Sequence, residues 1–186
     1  MSRRKLRIGK DLDGCHQSFQ EGVNKALRAS KLNLKCNPDN YHFWRDWGWT
    51  DEQFMDFWKK GVEDGYIFNT PPFRGAVQAN HDLYKAGHSI HVVTHRGFPD
   101  RPGLAEQVTE NWLNTIGFYY DSLTFSEDKT VVKTDVFIED NLTNYHALNE
   151  AGTECYLITR PWNKGAKVER RVRSVAEFAR IILEKY

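Results

Sequence analysis

Apolar positions set a clear rhythm along this chain. Lys5-Leu6-Arg7-Ile8-Gly9-Lys10 alternates polar and apolar residues, which predicts a strand. From His16 to Ser30 the period changes, with Phe19, Val23 and Leu27 at four-residue spacing, and predicts an amphipathic helix. Residues 31–49 are irregular, with Pro38, Asp39 and Asn40 marking turns. Thr50 with Gln53 makes a capping-box pattern that opens a second helix. Its apolar stripe is Phe54, Phe57, Trp58 and Val62, and Gly65 ends it. After Pro71-Pro72, Ala76, Ala79 and Leu83 mark a further helix closed by Gly87.

Beyond Gly87 the pattern alternates strand and helix. Ser89 to Thr94 reads as a strand and Leu104 to Ile116 as a helix, with Leu104, Val108 and Trp112 on one face. Ser122 to Phe125, Asp135 to Ile138 and Cys155 to Ile158 read as short strands, and Leu142 to Glu150 as a helix. Ser174 opens a last helix, with Glu177 completing a capping-box pattern. Short apolar strands separated by helices predict a doubly wound, Rossmann-like parallel α/β sheet covered on both faces. The aromatic-rich segment 16–71 reads as a small helical cap inserted after the first strand, and 1–15 with 72–186 as the α/β core. The cap is expected over the sheet's C-terminal edge, where ligands bind in such folds.

Composition narrows the classes. At 186 residues the chain suits one domain with room for a modest insert. A formal charge of +1 gives no electrostatic case for bulk nucleic acid. Three cysteines without paired spacing, Cys15, Cys36 and Cys155, suit a reducing compartment and argue against a disulfide framework or a zinc site. The N-terminal residues hold no apolar stretch long enough for a signal peptide, and no segment approaches a membrane span. A cytoplasmic protein is the expectation. The aromatic residues are unevenly placed: Trp44, Trp47, Trp49 and Trp58 fall within fifteen positions, with Tyr41, Phe43, Phe54 and Phe57. Most should pack a small subdomain, while one or two rings, Trp44 among them, would serve a flat ligand such as a nucleobase.

The candidate chemistry starts at Asp11-Leu12-Asp13-Gly14, where two carboxylates crowd the end of the first strand. Such a pair normally needs a proton or a cation between its members, and a hard cation such as Mg²⁺ takes these oxygen ligands. Thr94, Lys129 and Asp140 also stand at strand ends or in the following loops, so a parallel sheet brings them to the same edge. Singly, each has an ordinary explanation as a turn residue, a solvated lysine or a helix cap. Together they match what phosphoryl transfer through an aspartate requires. The seven histidines show no metal spacing, and most read as structural or exposed.

The ordered set Asp11-x-Asp13, Thr94, Lys129 and Glu139-Asp140 resembles the four motifs of the haloacid dehalogenase superfamily of phosphatases. Within it the chain is similar to the 5'-nucleotidase C family, the deoxyribonucleotidases. That closer likeness rests on Phe19 eight residues after Asp11, on Pro72-Phe73-Arg74-Gly75-Ala76, on Asp128-Lys129-Thr130-Val131-Val132 and on Arg160-Pro161-Trp162-Asn163. The resemblance implies an Mg²⁺-dependent phosphatase acting on nucleoside monophosphates, deoxynucleotides in particular. Asp11 would be the nucleophile forming an aspartyl-phosphate, and Asp13 the acid and then the base. Thr94 and Lys129 would bind the phosphoryl group, while Asp140, Asp11 and the Asp13 carbonyl would hold Mg²⁺. Phe19 would lie under the base unless it packs with Val23 and Leu27 on its own helix.

Several residues depart from that pattern. Lys10 stands where an apolar strand residue is usual, and either snorkels to the sheet's end or perturbs the site. Glu139 replaces an aspartate, and Asn141 stands where an arginine is expected. His95 and Arg96 replace small polar residues and join Phe19 and Trp44 as substrate-side candidates. Arg96 could reach a phosphate, although a solvated loop arginine is the simpler expectation. The expected partner is a small phosphomonoester, with a homodimer as one admissible assembly. The alternatives are a phosphatase for another small phosphoester or a nucleic-acid terminus, and a catalytically inactive nucleotide-binding protein.

Overall fold

The computed structural model describes residues 4–186; residues 1–3, part of the N-terminal stretch read above, lie outside the described residues. Six strands form one sheet: β1 (Arg7–Lys10), β2 (Ser89–Thr94), β3 (Ser122–Phe125), β4 (Val136–Glu139), β5 (Glu154–Ile158) and β6 (Arg171–Val172). All neighbours pair in parallel, in the order β3-β2-β1-β4-β5-β6. The chain winds outward from β1 to β3 and then returns to the other side of β1. That reversal opens a crevice beside the C-terminal end of β1, where ligands settle in such sheets.

Side chains alternate across the sheet and sort two core layers. Ile8, Ile90, Val92, Val136 and Ile138 pack with α3 (Ala76–Lys85), α4 (Leu104–Thr115) and α6 (Val175–Lys185). Val93, Phe137, Cys155 and Leu157 face α5 (Leu142–Glu150) through Tyr145 and Leu148. Helices therefore cover both faces, as the pattern predicts. Gly9 is required by packing, because a Cβ there would stand 2.0 Å from the Phe137 ring.

A third apolar cluster is built from α1 (Phe19–Ala29), a 3₁₀ turn at Phe43–Trp47 and α2 (Asp51–Glu63). Val23, Leu27, Phe43, Phe54, Val62, Ile67 and Phe68 form its buried centre. Phe98 and Ala105 join it from the segments after β2, so this aromatic layer rests on α4. Thr50 and Gln53 form the predicted capping box at α2. The helix expected from His16 begins instead at Phe19. Ser18 is its cap, and Gln17 is held in bridges to Asp13 and Pro72. At α6, Ser174 accepts the Glu177 N–H, but the Glu177 carboxylate accepts from Arg173 N–H rather than from Ser174, so only half of that box forms. β6 escaped the sequence reading, since two residues are too few to show alternation. No helix among the described residues is long and apolar enough to cross a membrane.

Candidate active site

The end of β1 is shaped by a tight turn. The Leu12 carbonyl accepts the N–H groups of Cys15, His16 and Gln17 at 3.2, 2.7 and 3.2 Å. Gly14 takes φ +74°, and a Cβ on it would lie 2.1 Å from Asp140 Oδ2. Only glycine satisfies both the turn and the approach of that carboxylate. Asp11 and Asp140 are thereby brought together, with one oxygen of each and the Cys15 sulfur all within 4.8 Å of one another. The sequence does not mark Cys15 as part of the site, because cysteines without paired spacing carry no ligand signal.

Lys129 reaches this pair from the opposite side. It follows Asp128, whose carboxylate accepts the Thr130 N–H at 2.8 Å and starts a 3₁₀ turn at Lys129–Val131. Its ammonium donates to Asp11 Oδ1 at 2.8 Å and to the Val93 carbonyl at 3.0 Å, and the side chain is buried. Burial pushes the Asp11 carboxyl up to about 7; Lys129 opposes the shift, while Glu139 and Asp13 add to it. Asp140 is held well above the usual carboxylate range by burial and by the charges of Glu139 and Asp11. Burial draws Lys129 down, and the charges of Asp11 and Glu139 more than offset that.

Glu139 acts on the loop behind Asp140. Its Oε1 accepts the N–H groups of Asp140 and Asn141 at 3.0 Å, and its Oε2 is buried with no hydrogen-bond partner. Asn141 caps α5 by accepting from Thr143 and Asn144 N–H, which leaves Asp140 out of that role. Asn163 Nδ2 donates to the Asp140 carbonyl at 2.7 Å and to the Ile158 carbonyl at 2.9 Å. Arg160 donates to the Gly14 carbonyl and lies over Phe73, 4.4 Å from the ring centre. The Arg160–Asn163 segment thus ties together the loops carrying Asp11 and Asp140.

The other expected residues divide. Thr94 sits at the same strand edge, wholly buried, and its hydroxyl has no partner. His95 lies on the cavity wall. Arg96 corrects the expectation of a solvated loop arginine: it is buried, and its Nε and Nη2 donate to Asp13 Oδ2 and Oδ1 at 2.8 and 3.0 Å. It does not line the cavity, since its third nitrogen, Nη1, donates to Thr109 at 2.9 Å. Gln17 and Thr70 were also missed. Gln17 Nε2 donates to Asp13 Oδ1 at 3.1 Å, and its Oε1 accepts the Thr70 hydroxyl at 3.1 Å. Lys10 does not snorkel. It is fully buried on the opposite side of β1, donating to Asn80 Oδ1 at 2.8 Å and lying 5.4 Å from the centre of the Phe118 ring. His16 packs edge-on to the same ring, and its Nδ1 bonds the Asp11 carbonyl at 2.8 Å.

Asp11, Asp13, Lys129 and Asp140 form one end of a cavity of about 460 Å³. Its far walls are Phe19, Tyr41, Phe43, Trp44, Phe54, Trp58 and Trp162. Phe19 lines the cavity, and its ring packs 5.3 Å from Trp58 and 6.4 Å from Phe43 rather than only along its own helix. Trp44 stacks on Phe54 at 4.3 Å and donates its indole N–H to Asp51. Around the wall, Asp11, Asp13, Asp51, Glu127, Glu139 and Asp140 face one lysine, Lys129, and no arginine among the lining residues.

The chain is 29% identical over 163 residues to a Chlorobaculum tepidum protein named provisionally as a 5'(3')-deoxyribonucleotidase, covering 84% of this chain and 81% of the relative. It is 28% identical over 147 residues to a provisionally named nucleotidase of Bacillus cereus, covering 76% and 75%. Among solved structures, a predicted phosphatase from Clostridium acetobutylicum superposes with a TM-score of 0.66 at 17% identity, over 97% of this chain and all of the other. A D,D-heptose 1,7-bisphosphate phosphatase from B. bronchiseptica, complexed with magnesium and phosphate, gives 0.56 at 16% identity, over 98% and 100%. These two likenesses speak to the fold. A family model described as "5' nucleotidase, deoxy (Pyrimidine), cytosolic type C protein" matches residues 4–185, so the chain belongs to the 5'-nucleotidase C family of haloacid dehalogenase-like phosphatases.

Proposed function

We propose that this protein hydrolyses nucleoside monophosphates, deoxynucleotides in particular, through a phosphorylated Asp11. The observation that carries this is the seat of Asp11. Its carboxylate is buried, pinned by Lys129 at 2.8 Å, and opens on a cavity of nucleotide size with aromatic walls. In the first half-reaction an Asp11 oxygen bonds to phosphorus as the bond to the leaving oxygen breaks, and Asp13 gives that oxygen a proton. In the second, Asp13 takes a proton from water as the water bonds to phosphorus and the bond to Asp11 breaks, releasing inorganic phosphate. Lys129 and Thr94 hold phosphoryl oxygens, and the buried unpartnered Thr94 hydroxyl suits that task. Phe19 and Trp44 flank the base, with His95 near the phosphate end. Segment 16–71 serves as a cap domain on a core of 1–15 and 72–186, and free, buried cysteines suit a cytoplasmic setting.

The donor set fits a hard divalent cation. Two crowded, buried carboxylates offer oxygen ligands, and Gly14 leaves the space that Asp140 fills. Asp11, Asp140 and the Asp13 carbonyl would hold Mg²⁺, which when bound supplies Lewis-acid neutralisation of phosphoryl charge. Cys15 is a poor candidate ligand for it, because burial keeps the thiol protonated and sulfur is soft.

The test is a phosphate-release screen over 5'- and 3'-monophosphates of ribo- and deoxynucleosides and simple sugar phosphates, with Mg²⁺ or with EDTA. The expected result is release from deoxynucleoside monophosphates in Mg²⁺ and none in EDTA. Preference for sugar phosphates would move the assignment to another small phosphoester. Tight nucleotide binding without any release would make the protein a binder rather than an enzyme.

A further inference from the structure

Arg96 is a fixed cation placed in the interior without facing the cavity. Burying an arginine is costly unless its donors are matched, so its pairing needs a reason. Nε and Nη2 form a two-pronged pair with Asp13 at 2.8 and 3.0 Å, and Nη1 donates to Thr109 on α4. The guanidinium carbon Cζ also lies 4.0 Å from the centre of the Phe68 ring, in the aromatic layer. A fork of this kind fixes the plane of a carboxylate, which a lysine's point charge cannot do. Gln17 adds a third contact at Asp13 Oδ1, braced in turn by Thr70 on the segment returning from the aromatic layer. Asp13 keeps 22% of its side chain exposed and lines the cavity with that part.

We propose that Arg96 is a positioning residue for Asp13, holding its carboxylate apart from the Asp11–Asp140 pair and turned toward the leaving oxygen. The inference rests on the phosphatase reading above. Four carboxylates, Asp11, Asp13, Glu139 and Asp140, gather at this strand edge, and a cation between Asp11 and Asp140 would attract an unrestrained Asp13. Captured in that way, Asp13 would be lost as a proton carrier. Arg96 supplies the competing charge on the far side. As the bond from phosphorus to the leaving oxygen breaks and the bond to Asp11 forms, the Asp13 proton passes to that oxygen. The carboxylate left behind is stabilised by the fork that already holds it.

The need for that proton depends on the leaving group. A nucleoside alkoxide is strongly basic and requires it, whereas p-nitrophenolate is stable without it. The ratio kcat/KM reports events up to leaving-group release, so it isolates this step from the later hydrolysis of phospho-Asp11, which is common to both substrates. Full-length wild type, Arg96→Met, Arg96→Lys and Asp13→Asn would be assayed on p-nitrophenyl phosphate and on the nucleotide turned over best in the screen, with melting followed by circular dichroism. Arg96→Met is expected to lower kcat/KM on the nucleotide by about 100-fold or more and on p-nitrophenyl phosphate by less than about tenfold. Arg96→Lys should show the same split at smaller size, and it decides the matter if the methionine variant does not fold. Arg96→Met added to Asp13→Asn should cost little further. Equal losses on the two substrates, or none, would overturn the assignment. Wild-type turnover by Asp13→Asn would instead remove the acid–base reading on which it depends.

Discussion

The aromatic layer around Phe19 and the charged floor around Asp11 are both buried and share one cavity, yet different energies govern them. In the layer, rings of Phe19, Phe43, Phe54, Trp58 and Phe68 meet at centre distances of 5.3–6.4 Å and gain stability by leaving water. In the floor, Asp11, Glu139 and Asp140 are packed around a single lysine, and burial works against the charges of Asp11, Asp140 and Lys129. The layer needs nothing added to be stable. The floor holds an excess of negative charge that only a cation or protons can relieve. The apolar wall thus stabilises the fold, and the polar floor gives up stability to keep reactive groups in place.

The contrast is broken most strongly at Lys129. Replacing it with Met leaves Asp11 buried without its ammonium partner and is expected to cost about 3–5 kcal/mol in EDTA, with phosphate release lost. Denaturant unfolding and phosphate assay measure these together. An unchanged midpoint would mean that Lys129 does not hold the floor.

Phe19 probes the other side. Phe19→Ala removes ring contacts with four neighbours and should cost roughly 3 kcal/mol, the low end for a phenylalanine truncation because the ring is only half-buried. Beyond that, KM for a nucleotide should rise by an amount equivalent to ~1–3 kcal/mol of base stacking, while a sugar phosphate is spared. Equal kinetic losses on the two substrates would restrict Phe19 to packing.

Lys10 gives the smallest effect near neutral pH and sharpens the comparison from behind the sheet. Burial lowers its pKa from 10.5 to about 7. Between those values the unfolded chain holds a proton that the folded chain has released, so wild-type stability rises with pH across this window. Below about pH 7 the full penalty is present. Lys10→Met lacks the term and leaves Asn80 without its donor, a cost that does not vary with pH. The variant's melting temperature relative to wild type should therefore be highest near pH 6 to 7 and fall toward pH 10. A constant difference would show that Lys10 does not titrate in the folded protein.

The sequence made some of this legible and hid the rest for physical reasons. Strands β1 to β5 announced themselves by local alternation or apolar runs, and strand ends in a parallel sheet gather at one edge. Asp11, Asp13, Lys129 and Asp140 could be grouped on that topology alone. Arg96 could not, because Asp13, Phe68 and Thr109 come from separate segments and nothing local marks the arginine as buried. Lys10 was visible as an anomaly, but Asn80, its partner 70 positions away, was not. The start of α1 was misjudged because the bridges of Gln17 to Asp13 and Pro72 override a helical apolar pattern.

The central claim is that Asp11 carries the phosphoryl group. Asp13→Asn should slow hydrolysis of the intermediate, so this variant, mixed with a nucleoside monophosphate and Mg²⁺ and quenched in acid, is the material to examine. Mass spectrometry of its peptides is expected to find one added phosphoryl group on the peptide containing Asp11, and none when Asp11→Asn is introduced as well. Continued phosphate release by Asp11→Asn within about tenfold of wild type, with no phosphorylated peptide from any variant, would contradict the account.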